Sequence, residues 1–306
     1  GFSVTGQFVA ETFGLAAPAM PQTAARIGLN YAKVAAAYEP AQVTQLVTGM
    51  VATAFTTDDI ERILDAGMQS VDPDSRVYRI VRDVWEWYRR HPDDWKETQR
   101  RLQERYSSGG GTRDRLGYEL NTGWLAASLL YGKGDFAKTL DVASRTEWAT
   151  EHIAATAGCV LGVVLGYRRM MSRGWPIVDR YRNETRQNMP DDETITSFAD
   201  RVVDVAAQVI RRNGGGLLVE EGIDCYRIAA EQALPVERLP DPQAKLDELK
   251  KHFEQDIDTG IRRCRNRRHR ARAVYLAVCL DLAKKYQQRF PILWSKAVLD
   301  LRGYWK

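Results

Sequence analysis

The polar stretch at residues 145–152 is the part of the sequence best placed to do chemistry. It precedes a run of small and apolar residues, 154–166, which contains Gly158 and Gly162 and has the composition of a closely packed helix. Polar groups at the N-terminal end of such a helix lie where side chains and backbone N–H groups can converge on one ligand. The stretch therefore predicts an anion or metal site, and it includes His152, one of only four histidines.

Residues 56–59, with the sequence Thr-Thr-Asp-Asp, form a second candidate, because paired carboxylates can bind a metal. Thr56 and Asp59 also have the spacing of a capping box for a helix that would begin near Ile60. We favour the helix cap over the metal site. The same interpretation applies to Asp191 and Asp192, which precede another predicted helix.

Seven arginines lie between Arg262 and Arg272, and they account for the basic character of the chain. The formal charge is +4, and without these seven it would be −3, from 37 basic and 40 acidic residues. Such a run could neutralise nucleic-acid phosphates. Because acidic residues at 247–258 can pair with it, we favour a solvated, partly salt-bridged helix. Specific nucleic-acid binding is not expected, and any binding should be independent of sequence.

The elements that must position these residues are predicted to be helices. Apolar residues step by three and four along four segments, at 43–55, 77–88, 195–210 and 274–286. We expect these faces to share one core, since none can bury itself alone. Strand signals are confined to a possible hairpin at 217–228. The prediction is an all-α, single multi-helix bundle over residues 1–306, with further helices at 241–306.

Composition supports this assignment. Hydrophobic residues make up 44% and charged residues 27%, as in ordinary soluble globular proteins. The longest apolar run is interrupted by Gly158 and Gly162, so we expect no membrane partner. The four cysteines are too widely spaced for a small disulfide framework and are expected to be reduced. The compartment is not determined, although the cytoplasm is favoured.

Beyond these patterns, the sequence resembles a bacterial branch of the ADP-ribosylglycohydrolase family. The resemblance rests on six segments, which are 13–18, 92–95, 117–122, 130–136, 154–162 and 279–283. It implies an all-α domain that carries two magnesium ions and hydrolyses the glycosidic bond between ADP-ribose and its acceptor. The implied partners are an ADP-ribose-like small molecule or an ADP-ribosylated protein.

The resemblance also assigns site residues. The family's Asp-x-Asp metal-binding pair falls on Ala149 and Glu151, which leaves Glu151 as the metal ligand of that pair. His152, Asn121 and Thr122 would bind substrate. Capping of the following helix is an equal alternative for Asn121 and Thr122, and a partly exposed polar residue at a helix start is the favoured alternative for His152. The family's N-terminal acidic ligands are expected to be missing, as in a domain that lacks its N-terminal segment.

Two functions follow from this pattern. One is a magnesium-dependent hydrolase of ADP-ribosyl bonds that is impaired or inactive in this chain, a pseudoenzyme. The alternative is a non-catalytic relative that binds ADP-ribose or another nucleotide, or acts as a scaffold.

Overall fold

The computed structural model describes residues 4–107, 117–146, 149–182, 187 and 192–303 of the 306-residue chain. The chain divides into two compact units, Gly1–Leu239 and Pro240–Lys306. Helices dominate both units, and the described strands form only two short antiparallel pairs. The all-α prediction is confirmed, while the assignment of one domain over residues 1–306 stays a prediction.

The first unit contains most of the helices among the described residues. In chain order they are α1 (Thr5–Phe8), α2 (Glu11–Ala16), α3 (Pro21–Ala32), α4 (Glu39–Ala54), α5 (Ile60–Gln69), α6 (Arg76–Arg90), α7 (Trp95–Tyr106), α8 (Tyr118–Gly132), α9 (Phe136–Ser144), α10 (Thr150–Ser172) and α11 (Ile195–Arg212). Its strands are β1 (Tyr181–Arg182), β2 (Asp192–Glu193), β3 (Gly216–Glu220) and β4 (Ile223–Arg227). Pairing of β3 with β4 confirms the predicted hairpin.

Side chains at the helix starts explain several boundaries. Ser75 caps α6, Asp94 caps α7 and Asp135 caps α9, each by accepting a backbone N–H of the first turn. α8 ends at Gly132 and is followed by its C-cap, Lys133, whose φ of 52° is left-handed, and by Gly134 with a φ of 81°. This turn reverses the chain and places α9 against α8.

The core of the first unit is built around α4 and α8. Every residue of α8 is buried, and α4 is buried along almost its whole length. The predicted faces that begin at Val43 and Val77 both belong to this core, together with residues from α5, α7, α9 and α10. The first half of α10, which carries Glu151 and His152, is therefore held in place by packing against this core.

The second unit has its own core. Its helices are α12 (Pro242–Arg262), α13 (Arg267–Cys279), α14 (Ala283–Arg289) and α15 (Pro291–Arg302). Val274 packs in a cluster made only of residues from this unit, so the expectation that it shares a core with Val43 is wrong. The expectation of one helix over 274–286 is also wrong, because the helix breaks between Cys279 and Ala283, where Asp281 has a φ of 54°.

The face predicted from Ile195 is only partly buried. Ile195 is 48% exposed and Phe198 is 45% exposed, whereas Ile210 packs against Met20 and Ala52. The helix is capped by Thr194 through a capping box with Ser197. The cap predicted at Asp191 and Asp192 rests on side chains outside the described part of the chain.

Among the described residues, one helix, α10, is long and apolar enough to cross a membrane by length and composition alone. In its most apolar window 28% of the residues are buried. The expectation that the protein has no membrane partner stays a prediction.

Candidate functional site

The start of α10 meets α1 and α2 in a polar cluster. Gln7 on α1 donates from Nε2 to Thr156 Oγ1 at 3.1 Å and to the His152 carbonyl at 3.2 Å. The Thr156 hydroxyl in turn donates to the carboxylate of Glu11 on α2. The cluster joins residues more than 140 positions apart and surrounds the first two turns of α10.

Glu11 is the electrostatic centre of this cluster. Its burial disfavours the charged form and raises the pKa of the carboxyl, although the Thr156 hydrogen bond and the nearby His152 act in the opposite direction. Burial, with a smaller contribution from Glu11, also raises the pKa of the Cys159 thiol to about 12. Glu11 is thus a carboxyl that holds its proton more tightly than usual, and Cys159 is an unreactive thiol.

His152 presents an aromatic surface next to this carboxyl. Its ring stacks on Phe8 with centroids 4.9 Å apart and planes 19° from parallel. The His152 side chain is 32% exposed, and Phe8 is 43% exposed. A planar ligand could therefore reach this pair from solvent while a polar group reached towards Glu11.

The metal donors at the start of α10 are sparse. Ala149 offers no side-chain oxygen, and the Glu151 side chain is 71% exposed with Oε1 3.5 Å from His152 Nε2. Ile153, which follows His152, is fully buried and apolar. In the part of the chain that the structure describes, no three His, Cys, Asp or Glu side chains are grouped as a metal site would require.

Comparison with known proteins decides the family. A family model described as ADP-ribosylglycohydrolase matches residues 8–211, which is two thirds of the chain. The chain belongs to the ADP-ribosylglycohydrolase family. No curated protein and no solved structure matched it.

Within this family domain, Asn121 and Thr122 lie inside α8 and are fully buried. Asn121 Nδ2 donates to the Gly117 carbonyl, and Thr122 Oγ1 donates to the Tyr118 carbonyl. Because α8 begins at Tyr118, the capping alternative for these residues is wrong. Their role in substrate binding stays a prediction, as do those of His152 and Glu151.

The acidic segment at 56–59 is a helix start, but its cap differs from the predicted one. Asp59 itself caps α5, by accepting the backbone N–H groups of Glu61 and Arg62. Thr56 instead donates from Oγ1 to the Thr53 carbonyl at the end of α4. The capping box led by Thr56 is therefore wrong in detail, although the interpretation as a cap is correct.

Gln7, Phe8 and Glu11 are the residues that sequence patterns did not identify as parts of the site. Glu11 carried a usable signal, because it is the only charged residue between Phe8 and Met20. A lone carboxyl in an apolar segment is either paired or functional. Gln7 and Phe8 had no such signal.

Proposed function

We propose that this member of the ADP-ribosylglycohydrolase family binds an ADP-ribose-like ligand beside Phe8 and His152 and hydrolyses ADP-ribosyl bonds slowly or not at all. The observation that carries the proposal is the side-chain set at the start of α10. It combines a partly exposed aromatic pair and a partly buried carboxyl with a depleted set of metal donors among the described residues.

The donor set does not fit two magnesium ions. Magnesium requires near-octahedral coordination by oxygen at about 2.0 to 2.1 Å. Of the two positions that the resemblance assigns to ligands, Ala149 has no oxygen and Glu151 extends into solvent. Glu11 is nearby, but its carboxylate is hydrogen bonded to Thr156 and its burial favours the protonated form. This supports impaired hydrolysis.

The same residues suit binding without hydrolysis. A purine ring gains from stacking on an exposed aromatic surface such as that of Phe8 and His152. A ribose hydroxyl can donate to an oxygen of the Glu11 carboxyl, which accepts hydrogen bonds in either protonation state. The ligand could be free ADP-ribose or the ADP-ribosyl group of a modified protein.

Calorimetric titration of ADP-ribose into the full chain tests the binding part. We expect binding that does not require magnesium and that weakens at least tenfold in the variant His152→Ala, because the stacked pair is lost. His252→Ala is the matched control, since His252 is an exposed histidine of the second unit. Equal loss in both variants, or no binding by the wild-type chain, would exclude this site.

Release of ADP-ribose from an ADP-ribosylated protein, measured with and without added magnesium, tests the catalytic part. We expect little release under either condition. Rapid magnesium-dependent release would contradict the proposed impairment and would mean that other residues supply the ligands.

A further inference from the structure

The seven arginines at 262–272 fall into two sets in the second unit. Three are held by groups of the unit itself. Arg262 pairs with Asp258 at 3.0 Å, while Arg267 and Arg270 share Asp300 at 3.0 and 2.6 Å. Arg270 is buried and also donates to two backbone carbonyls. These three are therefore paired within the unit.

The other four are exposed, and among the described residues of the second unit none of them has an ion-pair partner. They are Arg263, Arg265, Arg268 and Arg272, and we call them the arginine surface. Four like charges this close repel one another, so they do not help the unit to fold. Their presence is better explained by an external anion.

Tyr275 extends the arginine surface along α13. Arg268, Arg272 and Tyr275 are spaced four and three residues apart, which places them on one face of the helix. Tyr275 is 50% exposed, so an aromatic ring lies within reach of the same ligand as the guanidinium groups. From Arg268 to Tyr275 this face spans about 10 Å of helix.

A cleft of about 280 Å³ adjoins this face between α12 and α13. Arg272 and His269 line it, together with one carboxylate, that of Asp256. The cleft is large enough for a phosphate group and its attached sugar, and Arg272 belongs to both the cleft and the exposed face.

The net charge of the second unit also favours an anionic ligand. Residues 240–306 contain sixteen basic and eight acidic residues, a net charge of +8, whereas residues 1–239 contain 28 basic and 32 acidic residues, a net charge of −4. An extended anion would be attracted to the second unit and not to the first.

We propose that the arginine surface binds the phosphate backbone of nucleic acids without sequence preference. Guanidinium groups bind phosphate oxygens in pairs of parallel hydrogen bonds, which lysine cannot do, and the run contains seven arginines and no lysine. Tyr275 supplies a ring on which an unpaired base can stack. An anionic membrane is a poorer fit, because the most exposed apolar side chains of the unit, Ile292 and Leu299, lie on a different helix, α15.

Fluorescence anisotropy of labelled 20-nucleotide single strands and duplexes, titrated with the full chain, tests the proposal. Four phosphate contacts predict that duplex affinity falls about 100-fold between 50 and 200 mM salt. A variant with glutamine at all four positions of the arginine surface should lose at least tenfold in affinity at 50 mM salt. Its affinity should also depend only weakly on salt.

The matched control removes the same charge elsewhere in the unit, by Lys251→Gln, Lys284→Gln, Lys296→Gln and Arg302→Gln. It should bind within about threefold of the wild-type chain and keep the wild-type salt dependence. If the first variant fails to fold, as judged by thermal melting, the pair Arg268→Gln and Arg272→Gln replaces it and should remove about half of the salt dependence.

Three results would overturn the proposal. They are equal losses in the variant and its control, a preference for one oligonucleotide sequence that survives 200 mM salt, and tighter arginine-dependent binding to phosphatidylserine vesicles than to any oligonucleotide. Loss confined to the arginine variants, for oligonucleotides of unrelated sequence, would support it.

Discussion

The hydroxyl of Thr156 donates to the carboxylate of Glu11 and so joins the second turn of α10 to the start of α2, 145 residues away in the sequence. Gln7 donates to the same hydroxyl from α1. The beginning of the family domain is thus tied to the helix that carries Glu151 and His152. A change at Glu11 should therefore affect both the stability of the fold and the site.

Glu11→Gln is expected to stabilise the protein at pH values well above the ordinary glutamate pKa and to change its stability little below that pKa. Burial raises the pKa of Glu11 above the ordinary value of 4.5, so the folded protein holds the proton more tightly than the unfolded chain. The stability that the protonated form contributes is lost as the pH rises from the ordinary pKa through the raised pKa of the folded protein. Glutamine keeps an acceptor for Thr156 without the charge.

Melting temperatures at pH 4 and pH 7.5 check this, with the exposed Glu220→Gln as control. We expect the difference between wild type and Glu11→Gln to appear only at the higher pH. A variant less stable than wild type at pH 7.5 would show that the ionised carboxylate is a net stabilising group.

Two glycines in the family domain should respond oppositely to alanine. A Cβ at Gly132 would clash with Thr139 Oγ1 and lie 2.9 Å from the Thr139 Cα, where α8 turns into α9. A Cβ at Gly162, in α10, would meet no atom within 4 Å. Gly132→Ala should cost about 1 to 3 kcal/mol of unfolding free energy, whereas Gly162→Ala should add about 0.5 to 1 kcal/mol. Urea unfolding measures both, and a loss at Gly162 would indicate a neighbour that packs there.

The helices were predictable where an apolar face with helical spacing is bounded by a capping residue or a proline. The pattern from Val77 to Tyr88 lies within α6, which begins after the cap Ser75 and ends just before His91, the residue preceding Pro92. The break between α13 and α14 was not predictable in this way. Residues 280–282 contain neither glycine nor proline, and the apolar spacing continues across them.

The division of the core and the composition of the site depend on long-range packing. Periodicity shows that Val274 must be buried but not against which partners, and it packs within the second unit. Likewise, the local sequence predicted a closely packed helix after the polar residues Arg145 to His152. It could not show that Gln7 and Glu11 approach that helix, because the contact spans about half the chain.

Gln45 is expected to hold the segment before the second unit against α4. The buried Gln45 accepts the backbone N–H groups of Val236 and Glu237 at 2.9 Å and donates to the Glu237 carbonyl at 2.8 Å. Gln45→Leu keeps the size but removes these hydrogen bonds, and it should cost about 3 kcal/mol. Trypsin should then cut faster after Arg238, which is exposed.

The control for this change is Gln208→Leu on the exposed side of α11. It should leave both the unfolding free energy and the rate of cleavage after Arg238 close to those of the wild-type chain. Unaltered cleavage in Gln45→Leu would mean that other contacts hold the segment.

Ala149→Asp combined with Glu151→Asp should not restore full hydrolytic activity. The change would recreate the Asp-x-Asp pair that the resemblance assigns to this helix start, yet a two-magnesium centre needs further carboxylates around it. Among the described residues the remaining carboxyl of the cluster is Glu11, whose carboxylate is hydrogen bonded to Thr156 and whose burial raises its pKa. We expect calorimetry to show at most weak magnesium binding by the double variant, with little release of ADP-ribose from a modified protein. Tight binding of two magnesium ions together with rapid release would show that the rest of the coordination shell is intact and that Ala149 and Glu151 alone limit the wild-type chain.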